Sequence, residues 1–97
     1  MSEDVFEIND KSGRKIRLTK KQWRHLAKKH PYMEKYLDEI KETLQLSDKI
    51  INRVFNKGYY YKSYKYLKSP NRFVLVVVKY LNGNGFIITS YLTEKIT

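Results

Sequence analysis

The run Phe73-Val74-Leu75-Val76-Val77-Val78-Lys79-Tyr80-Leu81, followed by Asn82-Gly83-Asn84-Gly85 and then Phe86-Ile87-Ile88-Thr89-Ser90-Tyr91-Leu92-Thr93, is the firmest ground in this chain. β-Branched and aromatic residues crowd both arms, and the Asn and Gly residues between them accept the left-handed backbone that a tight hairpin turn requires. Two antiparallel strands follow. A two- or four-residue loop pairs Leu81 with Phe86 and Val78 with Thr89. One face then carries Phe73, Leu75, Val77, Leu81, Phe86, Ile88 and Leu92, expected beneath helices, and the other presents Val74, Val76, Val78, Tyr80, Ile87, Thr89, Tyr91 and Thr93.

Toward the amino terminus, Tyr59 to Tyr66 holds five tyrosines and two lysines in eight residues, and a pleated strand suits such bulky rings. Ser69-Pro70-Asn71 separates it from Phe73. An odd-length connection puts Tyr60, Lys62 and Tyr64 on the face of Tyr91, with Lys62 opposite Val76; a one-residue slip exposes Tyr59, Tyr61, Ser63 and Lys65 instead. Lys49 to Phe55 reads as a further strand because Asn56-Lys57-Gly58 is a turn signal. Val5 to Ile8 and Lys15 to Leu18 form a short hairpin. Thr19 with Gln22 three residues later is a capping-box pattern, so a first helix starts there, and a second runs from Pro31 to about Gln45 with Met33, Tyr36, Leu37, Ile40 and Leu44 on one face. The expected fold is α+β: an N-terminal β-hairpin, then two helices packed on one face of a four-stranded antiparallel sheet, as one domain over residues 1–97 with its core at about 18–93.

The 97 residues, 41% of them aliphatic or aromatic, suffice for one two-layer globular core. The apolar run from Phe73 to Val78 is far too short to cross a bilayer, so no membrane partner is expected. The start, Met1-Ser2-Glu3-Asp4, lacks an apolar signal segment and the chain has no cysteine, which makes the cytoplasm the expected location.

A net charge of +10 points to a polyanionic partner, and its distribution says more. From Lys11 to Met33 nine Lys and Arg stand without one acid, and from Lys49 to Thr93 eight more do so. Magnesium-dependent nucleases need clustered carboxylates, which the strand region lacks, and two histidines without cysteine do not make a closed zinc site. Neither metal nor other cofactor is expected.

Both histidines lie in Trp23-Arg24-His25-Leu26-Ala27-Lys28-Lys29-His30-Pro31. At about 100° per residue Trp23, Leu26, Ala27 and His30 share a stripe, while His25 points away among Lys21, Lys28 and Lys29. Pro31 ends the helix and leaves His30 at a junction between two rigid elements, where functional groups are often placed. Imidazole exchanges protons near neutral pH. Cleavage of RNA without metal needs a base for the 2′-hydroxyl, a cation for the pentavalent phosphate and an acid for the leaving oxygen. His30 or His25, then Lys62, then Tyr91 or Thr89 are the candidates. Lys21, Arg24, Lys28, Lys29, Lys65 and Lys79 are candidates for holding the RNA backbone, and Tyr60 and Tyr64 for stacking bases.

The order Leu18-Thr19, Trp23-x-His25, His30-Pro31-Tyr32-Met33, Ile40-x-x-Thr43-Leu44, Asp48-Lys49-Ile50, Tyr59-Tyr60-Tyr61-Lys62, Val76-Val77-Val78-Lys79 and Phe86 to Tyr91 resembles the phage- and archaea-associated branch of the barnase/EndoU/colicin/RelE-like nuclease superfamily. The resemblance implies a metal-independent RNase fold, often a toxin. It also implies a helix-borne histidine (His25 or His30), a basic residue on the sheet (Lys62 or Lys79) and a hydroxyl on the last strand (Thr89, Ser90 or Tyr91). The leading expectation is therefore a metal-independent endoribonuclease acting on single-stranded RNA. The alternatives are a non-catalytic RNA- or DNA-binding protein using the same basic, tyrosine-rich face, and a viral or mobile-element module that binds a host protein. RNA is the expected partner; charge alone leads one to expect an acidic antitoxin or immunity protein as inhibitor.

Overall fold

In the computed structural model, which describes residues 4–97, the elements are β1 (Asp4–Asn9), β2 (Lys15–Thr19), α1 (Lys20–Lys29), a 3-10 helix (Pro31–Tyr36), α2 (Leu37–Leu46), β3 (Lys49–Arg53), β4 (Lys57–Ser63), β5 (Phe73–Leu81) and β6 (Asn84–Thr93). The acidic start at Met1 to Glu3 lies outside the described residues. The strands make one sheet in the order β1-β2-β6-β5-β4-β3, antiparallel throughout except that β2 and β6 run parallel. The fold is α+β, but the sheet is six-stranded and mixed rather than four-stranded and antiparallel. The amino-terminal hairpin extends it through only two residue pairs, Ile16 with Gly85 and Arg17 with Phe86. Gly85 makes that contact fit: a side-chain carbon there would stand 2.7 Å from Val78 Cγ1 and 2.8 Å from Ile16 Cδ1.

Thr19 Oγ1 accepts the Gln22 N–H at 3.1 Å and caps α1 as expected. The Gln22 side chain does not close the box; it donates to the Ile88 carbonyl at 2.5 Å, tying α1 to the edge of β6 beyond the reach of β2. After α1 the chain takes a 3-10 helix from Pro31, where one continuous helix was expected, and becomes α-helical only at Leu37. Leu26, Met33, Ile40 and Leu44 from the helices pack on Ile16, Leu18, Val74, Val76, Val78 and Ile87 from the sheet.

On β5 and the first half of β6 the covered face is the opposite of the one expected; past Ile88, Leu92 lies on the helix side and Thr89, Tyr91 and Thr93 on the other, as expected. Val74, Val76 and Val78 lie under the helices, while Leu75 and Val77 form a second apolar cluster with Tyr61, flanked by Ile51, Tyr59, Phe73, Ile88 and Tyr91. Two features caused the misassignment. Every residue from Phe73 to Val78 is apolar, so alternation carries no signal on β5. In addition, Asn82-Gly83 forms a two-residue turn pairing Leu81 with Asn84, and Ile88 is an extra residue between the pairs Val78–Ile87 and Val77–Thr89. That bulge resets the phase of β6.

The tyrosine strand follows the same phase. Tyr59 pairs with Val77 and Tyr61 with Leu75, so they share with Tyr91 the face away from the helices, the open face, while Tyr60 and Lys62 pair with Val76 and Val74 and face the helices. On the open face Tyr61, Leu75 and Val77 are nevertheless buried by their neighbours. Tyr60 is 0% exposed. Its hydroxyl donates to Asp10, whose carboxylate also accepts the Ser12 N–H and hydroxyl and the Arg14 N–H at 2.8–2.9 Å. The Tyr80 hydroxyl joins at 2.8 Å, and Tyr80 reaches it by passing over Gly58, where any side chain would collide with its ring. This network ties the β1–β2 turn to β4 and β5.

Candidate active site on the open face

His30 closes α1, its N–H donating to the Leu26 carbonyl at 2.8 Å, and its ring turns toward the sheet edge. The imidazole lies 5.4 Å from the Tyr91 ring and 5.9 Å from the Tyr32 ring, the latter edge-on. Tyr91 sits on the open face of β6, beside Tyr61 across the Leu75 pair. Burial pushes its hydroxyl above the ordinary tyrosine value; the neighbouring hydroxyls of Tyr59, Tyr61 and Tyr32 add to the effect and the Arg53 guanidinium opposes it. Ring contacts and strand register place a cluster of side chains on this side of the sheet: His30 and Tyr32 from the interhelical corner, Tyr91 from β6, Tyr59 and Tyr61 from β4, and Arg53 from β3. Arg53 stacks on the Tyr59 ring at 4.8 Å and donates to the Thr97 backbone oxygen, so the segment after β6 comes back to this face. Thr89, paired with Val77, lies on the same face.

The cluster sits where an anion can be held and a proton moved. Arg53 offers planar donors beside an aromatic platform. Tyr91 keeps its proton at neutral pH and is free to donate it. His30, half-exposed, supplies a group that accepts one.

Several expected residues lie elsewhere. Lys62 faces the helices, its Nζ 4.9 Å from the Tyr64 ring, and does not share a face with Tyr91. Tyr60 and Tyr64, expected to stack bases, are structural: Tyr60 is bound to Asp10, and Tyr64 donates to Glu42 at 2.7 Å. Burial first, and those hydrogen bonds next, raise both hydroxyls well above the ordinary value. Lys65 is exposed in the loop after β4. Lys79 is on the open face, but its ammonium donates to the Phe55 carbonyl. His25 is exposed on α1, and with Lys21, Arg24, Lys28 and Lys29 it forms a cationic helix surface rather than part of the cluster. Ser63 is occupied as well: its N–H and hydroxyl reach the Asp48 carboxylate at 2.8 and 3.0 Å and hold that group below its ordinary value.

Arg53 and Tyr32 were missed as site residues, and Tyr59 and Tyr61 appeared only through the register slip. Arg53 lies two residues past Ile51 on a strand whose partner was unknown, so no spacing rule connects it to Tyr91. Tyr32 follows the helix-breaking Pro31 and could have been suspected from its adjacency to His30.

Among the described residues, no three His, Asp or Glu side chains are grouped as metal ligands, and no helix is long and apolar enough to cross a membrane. A basic α+β domain with a histidine, a tyrosine and an arginine gathered on one sheet face has the equipment of a small nuclease. The chain belongs to the phage-Barnase-EndoU-ColicinE5/D-RelE like nuclease2 family, whose sequence profile matches residues 2–96. No curated protein and no solved structure matches it.

Proposed function

We propose that this nuclease is a metal-independent endoribonuclease that cuts single-stranded RNA on the open face of its sheet. The observation that carries the reading is the convergence of His30 on Tyr91, at 5.4 Å between rings, on the sheet face where Arg53 stacks on Tyr59. His30 takes the proton of the 2′-hydroxyl, whose oxygen attacks the adjacent phosphorus. Arg53 offsets the charge that builds on the pentavalent phosphate, the part first given to Lys62. Tyr91 gives its proton to the 5′-oxygen as the P–O bond breaks, and recovers one from protonated His30. The products are a 2′,3′-cyclic phosphate and a 5′-hydroxyl, and DNA, lacking the nucleophile, is not cut. Tyr59, half-buried beneath the Arg53 guanidinium, carries the stacking role first given to Tyr60 and Tyr64, and the buried Tyr61 packs beside it. The cationic surface of α1 steers the RNA backbone, and the same charge would draw an acidic antitoxin or immunity protein to a toxin acting in the cytoplasm.

The test is incubation with single-stranded RNA in excess EDTA, with analysis of the product ends. Cyclic phosphate ends from wild type, lost in His30→Ala while RNA affinity persists, support the reading. Salt-sensitive binding without cutting refutes it in favour of a binding protein.

A further inference from the structure

The tip of the β3–β4 hairpin is at odds with its own folding. Val54 and Phe55 are 75% and 76% exposed, and Phe55 and Asn56 both have left-handed backbone, with φ of 63° and 56°. Tight hairpin turns reserve that conformation for Asn and Gly, because a β-carbon crowds the carbonyl there. Phe55 gains nothing from burial and strains the turn, so the fold does not account for it. Yet the tip is anchored: Lys79 donates to the Phe55 carbonyl, and the Tyr80 N–H donates to the Asn56 carbonyl at 2.8 Å. Arg53 and Lys57 flank the tip, and no acid lies between Lys49 and Thr93. Asn56 also lines a cleft of about 370 Å³ with Arg14, Tyr80 and Asn82, in which the Arg14 guanidinium lies 4.4 Å from the centre of the Tyr80 ring. That volume falls within the range of small-ligand sites.

We propose that this end of the sheet is a second nucleotide subsite: an unpaired base of the RNA stacks on Phe55, and Arg53, Lys57 and Arg14 hold the backbone beside it. The subsite rests on the reading of single-stranded RNA as substrate and grips a nucleotide beyond the scissile one. Arg53 links the two places, since it stacks on Tyr59 in the cluster and stands two residues before Phe55. Base stacking on an exposed ring is sequence-tolerant and salt-insensitive, which complements a purely cationic grip. An anionic membrane is the other partner that an apolar, cationic tip would suit, but two side chains on a tight turn make a poor anchor. Arg53 and Lys57 are continuous with the open face, while Arg14 and Tyr80 stand on the helix side of the same sheet end, and the continuity of the first two favours the RNA strand.

The experiment uses the full chain with Phe55→Ala, Phe55→Asn and Phe55→Trp, an oligouridylate and a ribodinucleotide. Phe55→Ala weakens oligonucleotide binding roughly 10-fold or more, the range of one stacked base, while the rate on the dinucleotide is unchanged. Phe55→Asn loses the same affinity with Tm unchanged or raised, since Asn suits the left-handed turn; a merely structural Phe55 would lose Tm as well. The emission of Phe55→Trp, read against wild type as a blank for Trp23, is quenched by the oligonucleotide. Unchanged affinity in the Ala and Asn variants overturns the proposal, as does an emission shift with anionic phospholipid vesicles and none with RNA. A wild type that cuts no RNA while Phe55→Trp is quenched refutes the nuclease reading and upholds the subsite; the reverse pattern refutes the subsite alone.

Discussion

Tyr60 and Tyr61 are neighbours in one strand, both buried, and they pack into clusters on opposite faces of the sheet. Tyr60 faces the helices, and its hydroxyl is consumed by Asp10 and Tyr80. Tyr61 faces away from them and joins Tyr59 and Tyr91 around the cluster that His30 and Arg53 complete. Lys62 and Arg53 divide in the same way: the lysine is the nearer to the tyrosines in sequence but stands on the wrong side of the sheet. The comparison teaches that in a tyrosine-rich strand, residue type does not mark the site. Parity does.

The contrast makes substitutions on the two faces separable. The largest effect belongs to His30→Ala, which should lower the cleavage rate by roughly 10²–10⁴-fold with little change in Tm, as measured by single-turnover cutting of a labelled RNA. Tyr91→Phe should cost about 10²-fold in the same assay, removing the proton donor while keeping the ring packed against His30. On the covered face, Tyr60→Phe should instead cost about 1–3 kcal/mol in urea unfolding, because it strips one hydrogen bond from the buried Asp10 carboxylate, and the activity of the folded fraction should persist. A Tyr60→Phe variant that folds as well as wild type but does not cut would break the division between faces.

The pH dependence of stability has a definite sign. Burial, then hydrogen bonding, holds the Tyr60 and Tyr64 hydroxyls above their ordinary value in the folded state. The unfolded chain therefore releases protons first as pH rises. The stability these groups contribute is whole below about pH 10 and is lost above it. Urea midpoints measured from neutral to alkaline pH should hold until about pH 10 and then fall, less steeply in Tyr60→Phe. The smallest effect is that of His25→Ala, a change within about 2- to 3-fold in cutting and within about 0.5 kcal/mol in stability, as for an exposed residue outside the cluster.

Much of the architecture was legible because local chemistry dictates it. Asn82-Gly83 takes left-handed backbone and forms the turn, Thr19 caps α1, and Pro31 ends that helix beside His30. What stayed hidden depends on contacts between distant segments. The parallel seam between β2 and β6 is two pairs long and leaves no pattern in the sequence. Gly85 and Gly58 look like turn residues, yet their missing side chains make room for Ile16 and Tyr80. On β5, six consecutive apolar residues erase the alternation that would tell inside from outside, and the Ile88 bulge shifts the phase of its partner. The place of His30 was legible because Pro31 marks the end of α1, and Thr89 and Tyr91 fall on the expected face because the bulge restores the expected phase in the second half of β6. That of Arg53 was not legible, because it depends on the phase of β5.

The measurement that bears most directly on the open-face account is the rate of single-stranded RNA cleavage in EDTA by Arg53→Gln and by Lys62→Gln, compared at saturating RNA. The account predicts a fall of about 10² or more for Arg53→Gln and a near wild-type rate for Lys62→Gln. Full activity without the Arg53 guanidinium, together with loss of activity in the Lys62 variant, would place the chemistry on the helix side and contradict it.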